Sequence, residues 1–257
     1  MPTDEQRQQL ADEGFYVARS VLSGDELERV RSALDHAVAV GRGTSDSRLD
    51  PNDANIRLYN LPALDPLFID LLMRDDALDA ARATIGEHIL VSNFTANIAL
   101  PGSGSMNLHS DQALAVPGPW FHPWAVNVIW CLDDVHEANG ATRYLPGSHR
   151  FASMDDVPAD ATERTVAFEA PAGSFIVMEG RLWHTSGCNV TKDERRRMMF
   201  AYYGADFIRP QVNWAFALPQ AVQQAMDDGT RALFGLEAAG NVRIGGALSR
   251  YKPVEPV

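Results

Sequence analysis

The chain has 257 residues, of which 46% are hydrophobic, and it carries a formal net charge of −12 at pH 7. This length suits one large domain or two small ones, and we expect a single domain over residues 1–257. The negative charge disfavours nucleic acid and anionic membranes as partners, and no apolar run is long enough to cross a bilayer. The polar, acidic N-terminus lacks the pattern of a signal peptide. The two cysteines, Cys131 and Cys188, are too few for a disulfide framework, so we expect free thiols and a cytoplasmic location.

Helices are predicted mainly in the first part of the chain. The sequence predicts helices over residues 4–13, after Ser23 and over 67–85, a strand over 15–19 and a surface loop over 41–55. Gly14 ends the first helix. Ser23 and Glu26 form a capping box at the start of the second helix, and Gly86 fits the C-cap of the third.

From Ile89 onward the pattern changes to short strands separated by turns that contain glycine and proline. Strands are predicted over 89–91, 94–100, 125–132, 141–145, 165–170, 174–178 and 197–203, and a last helix over 219–233. Strands at this regular spacing indicate a barrel or a two-sheet jelly roll of the cupin type. We therefore expect a mainly β fold with flanking helices at both ends.

The stretch Asn107–Gln112 carries a candidate metal site. In a strand, His109 and Asp111 point to the same face because they are two residues apart. His184, far along the chain, is the best candidate for a third ligand from a neighbouring strand. Two histidines and one carboxylate that leave other positions open are typical of non-haem Fe(II) oxygenases. A histidine next to Trp183 also fits a buried core residue, so this pattern alone leaves both interpretations open.

Longer motifs add to this pattern. They are Gly14–Val17 before a capped helix, His109–Asp111, Asn139–His149, and Trp183–Asn189 with Arg195 eleven residues after His184. With these motifs the chain resembles the phytanoyl-CoA dioxygenase family of Fe(II)/2-oxoglutarate-dependent oxygenases, over about residues 10–215. The resemblance implies a double-stranded β-helix, with Fe(II), 2-oxoglutarate and O2 as the reacting groups.

The resemblance also implies roles for single residues. His109, Asp111 and His184 would bind Fe(II). Arg195 would hold the distal carboxylate of 2-oxoglutarate, because a planar guanidinium makes two parallel hydrogen bonds to a carboxylate. Asp111 favours oxygenation, since related halogenases have a small residue in place of this carboxylate.

Further residues are candidates for the cosubstrate site. Arg196 or Arg197 takes the role of Arg195 if the strand register differs by one or two residues. Thr142, Gln112 and Asn97 would support 2-oxoglutarate, although each also suits an ordinary strand or surface position.

The segment 113–124 is rich in proline and aromatic residues and is expected to be a loop beside the site. Its residues Trp120, Phe121 and Trp124 either wall the substrate pocket or form the packed core of the loop. An apolar wall suits an apolar small molecule, so we expect a secondary metabolite such as a terpenoid, alkaloid or polyketide. An acyl-CoA substrate is disfavoured because the chain has no basic cluster outside 195–197.

Two other functional classes remain open at this point. The same fold and ligands could hold zinc or another metal in a non-redox hydrolase or isomerase. The fold could also serve as a metal-free binding module. Only the oxygenase needs the arginine and the threonine that bind 2-oxoglutarate, so these two residues discriminate between the classes.

Overall fold

The computed structural model describes residues 1–43 and 54–237. The helices are α1 (Asp4–Glu13), α2 (Gly24–Gly43), α3 (Pro66–Leu72), α4 (Asp75–Ile85), α5 (Asp111–Ala115), α6 (Trp214–Ala217), α7 (Gln220–Ala225) and α8 (Asp228–Leu233). The strands are β1 (Phe15–Ala18), β2 (Asn55–Leu58), β3 (Ile89–Ala99), β4 (Ala125–Cys131), β5 (Thr142–Tyr144), β6 (Val166–Ala167), β7 (Ser174–Glu179), β8 (His184–Ser186) and β9 (Arg196–Ala205).

The strands form two sheets. The larger sheet has the order β1-β7-β4-β9-β3-β2 and the smaller one has the order β6-β5-β8. Each pair of neighbouring strands is antiparallel. The predicted mainly β fold with flanking helices is confirmed, and the described strands form two sheets without closing into a barrel.

Apolar side chains fill both faces of the larger sheet. On one face, Val91, Val128 and Tyr203 pack with buried residues of the flanking helices, such as Leu34 and Leu72. On the other face, a second cluster lies between the two sheets and is built from Ile129, Ile176, Met178, Met198, Phe168 and Ala141. Because both faces are buried, the central strands read as continuous apolar runs.

A β-bulge changes the facing of side chains along β3. Val91 pairs with Tyr203, but Asn93 pairs with the next residue of β9, Tyr202, so Ser92 is the extra residue. Before the bulge Val91 packs in the core against the helices, and after it the even-numbered residues Phe94, Ala96 and Ile98 do so. A one-residue shift moves side chains to the opposite face of a sheet. The bulge therefore turns Asn93, Thr95 and Asn97 towards the smaller sheet.

Two predicted helices are each interrupted in the structure. The prediction over 67–85 corresponds to α3 and α4, which are separated at Arg74. The backbone of this residue is not helical, with φ −60° and ψ 133°, and its guanidinium donates to Glu26, Asp76 and the carbonyl of Val21. The prediction over 219–233 corresponds to α7 and α8, because Asp227 caps α8 by accepting from the backbone N–H of Thr230. A side-chain cap therefore starts α8, whereas at α4 the polar contacts of Arg74 hold the chain where it leaves the helical conformation.

The N-terminal elements have the predicted caps. Ser23 and Glu26 make both hydrogen bonds of the capping box, and Gly14 ends α1 in the left-handed conformation. Most of the predicted loop over 41–55 lies outside the described residues. Within the described part of the chain, the helices are too short or too polar to cross a bilayer.

Candidate active site

Three potential metal ligands come together between the sheets. One ligand atom from each of His109, Asp111 and His184 lies within 4.8 Å of the other two. Nε2 of His109 lies 3.6 Å from Oδ1 of Asp111, and Nε2 of His184 lies 3.8 Å from the same oxygen. Two imidazole nitrogens and one carboxylate oxygen thus surround one point.

Backbone pairing sets the spacing of the two histidines. His109 and His184 form an isolated antiparallel bridge in which each backbone N–H donates to the carbonyl of the other, at 2.9 and 2.8 Å. The expected strand does not continue to Asp111. Ser110 instead caps α5, accepting from the N–H of Ala113, so Asp111 is the first residue of a short helix.

Hydrogen bonds orient each ligand. Nδ1 of His109 donates to the carbonyl of Asn107, and Nδ1 of His184 donates to that of Leu182, both at 2.9 Å. This tautomer leaves both Nε2 atoms as acceptors that can bind a metal. Nδ2 of Asn127 donates to Oδ2 of Asp111 at 3.0 Å, so that Oδ1 is the oxygen that faces the histidines.

The electrostatics of the group suit a divalent cation. Burial alone would raise the pKa of Asp111, but the neighbouring histidines and the hydrogen bond from Asn127 outweigh it and lower that pKa to about 2. Burial lowers the pKa of His184. An ionised carboxylate and a neutral imidazole are the forms that bind metals.

A cavity of about 190 Å³ opens beside these ligands. It is lined from the larger sheet by β2, β3, β4 and β9 and from the smaller sheet by Thr142 and β8. The lining side chains include Arg57, Tyr59, Asn93, Thr95, Asn97, Met106, Leu114, Asn127, Ser186, Arg196, Phe200, Tyr202 and Gln211. The candidate metal site is therefore at the wall of a pocket of mixed polar and apolar character.

Of the three adjacent arginines 195–197, Arg196 is the one that lines this cavity, and the prediction for Arg195 is corrected. The side chain of Arg195 is 49% exposed and donates to Asp35 at the surface. Arg197 makes two hydrogen bonds to Asp133. Successive side chains of a strand point to opposite faces, so Arg195 and Arg197 point away from the cavity and Arg196 points into it.

Arg196 lies in a corner with other polar groups. It is only 1% exposed, its Nη2 donates to the carbonyl of Gly140 at 2.7 Å, and burial lowers its pKa to about 10, which leaves it cationic at neutral pH. Its Nε and the Oγ of Ser186 are buried and have no hydrogen-bond partner in the described part of the chain. Thr142 is the cross-strand neighbour of Ser186. Since buried polar groups are normally paired, the corner matches an anionic ligand.

The other two cosubstrate candidates occupy different positions. Asn97 is buried, lines the cavity and donates to Asn55. Gln112 does not line the cavity. Its side-chain amide donates to the carbonyl of His122 and accepts from the N–H of Trp124. The role of Gln112 in the structure is to hold the loop at 122–124, and the earlier prediction is corrected accordingly.

The aromatic residues of the 113–124 segment do not line the cavity. Trp120 is buried against Leu145 and Trp183, Phe121 is 68% exposed, and Trp124 packs edge-on against Phe207. The structure corrects the prediction that they wall the pocket. Of the two interpretations, packing describes Trp120 and Trp124, and these partners belong to other segments of the chain.

Several cavity residues were missed in the sequence. Ser186 had a signal, because it lies two residues after His184 and so shares its strand face. Asn127 and Tyr202 had no sequence signal that pointed to the site, apart from being polar residues within apolar strands. Gln211 comes from the segment after β9, where no periodic pattern points to the site.

Comparison with known proteins places the chain among dioxygenases. The family model described as phytanoyl-CoA dioxygenase (PhyH) matches residues 10–198. Dioxygenase af480 of Aspergillus fumigatus is 46% identical over 237 residues, which cover 91% of this chain and 77% of that protein. The multifunctional dioxygenase prhA of Penicillium brasilianum is 24% identical and is covered over 81% of its length, with 89% of this chain aligned.

Solved structures share the fold. HygX from Streptomyces hygroscopicus, determined with nickel and 2-oxoglutarate bound, superposes with a TM-score of 0.67 at 19% identity, covering 82% of this chain and 90% of that one. EctD from S. alaskensis, determined with bound Fe, has a TM-score of 0.67 at 21% identity, covering 83% of this chain and 82% of that one. The fold is thus shared with both of these solved structures.

Proposed function

The chain belongs to the phytanoyl-CoA dioxygenase family, and from this premise we propose that it is an Fe(II)/2-oxoglutarate-dependent dioxygenase that oxidises a small molecule of secondary metabolism. The observation that carries the proposal is a single cavity that combines the His109–Asp111–His184 group with the buried cation of Arg196. A metal hydrolase needs only the metal ligands, and a metal-free binding module needs neither the ligands nor the arginine. The oxygenase needs both.

The donor set fits Fe(II). Two imidazoles and one carboxylate occupy one side of the site, as in the facial triads of non-haem iron oxygenases. His109, Asp111 and His184 would hold Fe(II), which would supply, together with 2-oxoglutarate and O2, the oxidation of a substrate C–H bond. Asn127 fixes the carboxylate of Asp111 so that one oxygen faces the histidines.

The polar corner fits the distal carboxylate of 2-oxoglutarate. Arg196 supplies a buried cation with an unbonded Nε, and Ser186 supplies an unbonded hydroxyl. Thr142 from the smaller sheet and Asn97 from the larger sheet also line the cavity and contribute further polar groups. Charge-assisted hydrogen bonds of this kind are stronger than neutral ones, so the corner determines the affinity for the cosubstrate.

Beside its polar side chains, the cavity also offers apolar surface to a substrate. Tyr59, Met106 and Leu114 line the cavity and are exposed to solvent. Among the described lining residues only two are cationic, Arg57 and Arg196, and the second serves 2-oxoglutarate. The several phosphate charges of an acyl-CoA are not matched there, so we keep the assignment to an apolar secondary metabolite. Cys131 and Cys188 are both free thiols, which supports a reducing, cytoplasmic environment.

The test is anaerobic loading with Fe(II), followed by addition of O2 and 2-oxoglutarate and measurement of succinate formation and oxygen uptake. We expect slow turnover without substrate and its loss in His109→Ala, Asp111→Ala and His184→Ala. His88→Ala is the matched control, because that histidine is exposed and lies outside the cavity.

A substrate screen read by mass spectrometry then separates the reaction types, since hydroxylation adds 16 Da and desaturation removes 2 Da. Metal-dependent turnover that needs neither O2 nor 2-oxoglutarate would instead identify a non-redox enzyme. Full activity in any of the three ligand variants would also overturn the assignment.

A further inference from the structure

We propose that Asn93 and Gln211 form the specificity-determining contact of the cavity, and that they recognise an uncharged oxygen function, a hydroxyl or a carbonyl, on the substrate. This inference rests on the proposed function, since it concerns the substrate of the same site. It names a substrate class, which is a mainly apolar molecule that already carries one neutral oxygen away from the carbon to be oxidised.

The bulge in β3 brings Asn93 into the cavity. Without the extra residue Ser92, Asn93 would share the facing of Val91, which packs against the helices. With it, Asn93, Thr95 and Asn97 all line the cavity. Bulges that redirect a side chain are frequent beside active sites. Here the first residue that the bulge turns to the opposite face of the sheet is Asn93, which carries an amide.

The same bulge anchors the segment that supplies Gln211. The N–H of Gln211 donates to Oγ of Ser92 and the N–H of Val212 donates to its carbonyl, both at 3.0 Å. Trp214 is buried, and its indole N–H donates to the carbonyl of Val91 at 2.7 Å. Three hydrogen bonds to two adjacent residues of β3 therefore fix the position from which the side chain of Gln211 reaches the cavity.

The two amides face each other, and each keeps hydrogen-bonding capacity. Nδ2 of Asn93 donates to Oε1 of Gln211. This arrangement leaves Oδ1 of Asn93 as an acceptor and both N–H groups of Gln211 as donors. A hydroxyl can use both kinds of group and a carbonyl can use the donors. A carboxylate gains no compensating charge from either amide.

The amide pair is distant from the cosubstrate corner. Asn93 and Asn97 lie on the same face of β3, four residues apart. Because a strand rises about 3.3 Å per residue, they are separated by roughly 13 Å along it. Arg196 pairs with Ala99 beyond Asn97, whereas Asn93 pairs with Tyr202. One end of the cavity thus suits the anionic cosubstrate and the other end suits a neutral polar group of the substrate. Held at that end, the substrate presents a carbon at a fixed distance from its own oxygen function.

The experiment uses matched probes with the Fe(II)-loaded protein and saturating 2-oxoglutarate. One pair is p-menthane with menthol and the other is bornane with borneol, and the members of each pair differ only in a hydroxyl. A further probe, p-menthane-3-carboxylate, tests whether an anion is accepted. The readout is the probe concentration that gives half-maximal stimulation of succinate formation. One neutral hydrogen bond changes affinity by about 2- to 12-fold, so we expect each alcohol to act at a concentration lower by roughly tenfold than its hydrocarbon, with no stimulation by the carboxylate.

Near-isosteric apolar variants test the two residues. In Asn93→Leu and Gln211→Met the ratio between alcohol and hydrocarbon is expected to fall towards one. Because the ratio is taken within one variant, partial unfolding does not change it. Gln220→Met is the control, since this glutamine is exposed on α7 outside the cavity, and it should keep the wild-type ratio.

Several outcomes would overturn the inference while leaving the proposed function intact. They are equal action of alcohol and hydrocarbon in the wild type, preference retained in both apolar variants, or succinate formation that no alcohol stimulates. Absence of any 2-oxoglutarate-dependent succinate formation would instead refute the proposed function itself, so the two failures are distinguishable.

Discussion

The neighbouring arginines 195 and 196 offer a sharp test of the cosubstrate site. Arg196→Lys keeps a positive charge in the corner but removes the Nε donor, which is buried and unpaired in the described residues. Arg195→Lys makes the same chemical change one residue away, at the surface. Strand alternation puts the two side chains on opposite faces, so the comparison isolates the cavity from the general effect of losing a guanidinium.

The expected magnitude follows from the contacts. A hydrogen bond to a charged group contributes about 1.5–3 kcal/mol, which corresponds to a loss of roughly 10- to 150-fold in affinity for 2-oxoglutarate. Arg196 also donates to the carbonyl of Gly140, so Arg196→Lys is expected to lower the melting temperature too. The exposed pair between Arg195 and Asp35 is worth about 0–1 kcal/mol, and its loss should change neither quantity measurably.

The assay is the dissociation constant of 2-oxoglutarate measured by calorimetry on the anaerobic, metal-loaded protein, with the KM for 2-oxoglutarate as a second readout. An unchanged constant in Arg196→Lys would refute the reasoning. An equal loss of affinity in Arg195→Lys would refute it too, because an exposed side chain cannot act on the cavity by contact.

Three further predictions concern the metal site and the fold. Asn127→Ala removes the hydrogen bond to Asp111 and should weaken Co(II) binding by about 10- to 100-fold, measured by anaerobic titration, with unchanged affinity as the contrary result. Gly14→Ala places a Cβ about 2.7 Å from the ring of His149 at a φ of +80°, so it should cost about 2–4 kcal/mol of stability. The control is Gly24→Ala, whose Cβ meets no atom within 4 Å and should leave the melting temperature unchanged. Burial lowers the pKa of His149, so the histidine is protonated first in the unfolded state as the pH falls below 6.5. The wild type should therefore lose more stability between pH 7 and 5 than His149→Gln. Equal losses of stability in denaturant titrations would contradict this.

Sequence reasoning reached the fold and the metal ligands because both depend on local patterns. Short strands with glycine and proline turns indicated the two sheets, and a His-x-Asp pair with a distant histidine indicated the metal group. The choice among three adjacent arginines depends on the facing of β9. That strand is apolar on both faces, as Met198 packs between the sheets and Met199 packs against the helices, so no alternation reveals which arginine points inward.

The substrate end of the cavity was not predicted from the sequence, for a different reason. Its shape depends on the bulge at Ser92 and on a long-range contact with Gln211, and neither follows from local propensity. The composition of the aromatic run at 120–124 predicts a pocket wall. Its indole groups instead pack against other segments of the chain, and Gln112 holds the loop through both ends of its side-chain amide.

The isolated bridge between His109 and His184 links the segment before α5 to the smaller sheet through two backbone hydrogen bonds. A metal held by both side chains closes a ring through the same two residues, so the bridge can open only after one imidazole has left the metal. The amide hydrogens of these histidines should therefore exchange with deuterium slowly in the metal-loaded protein and faster after chelation, since exchange follows the free energy of local opening. Their deuterium uptake then reports metal occupancy without any substrate.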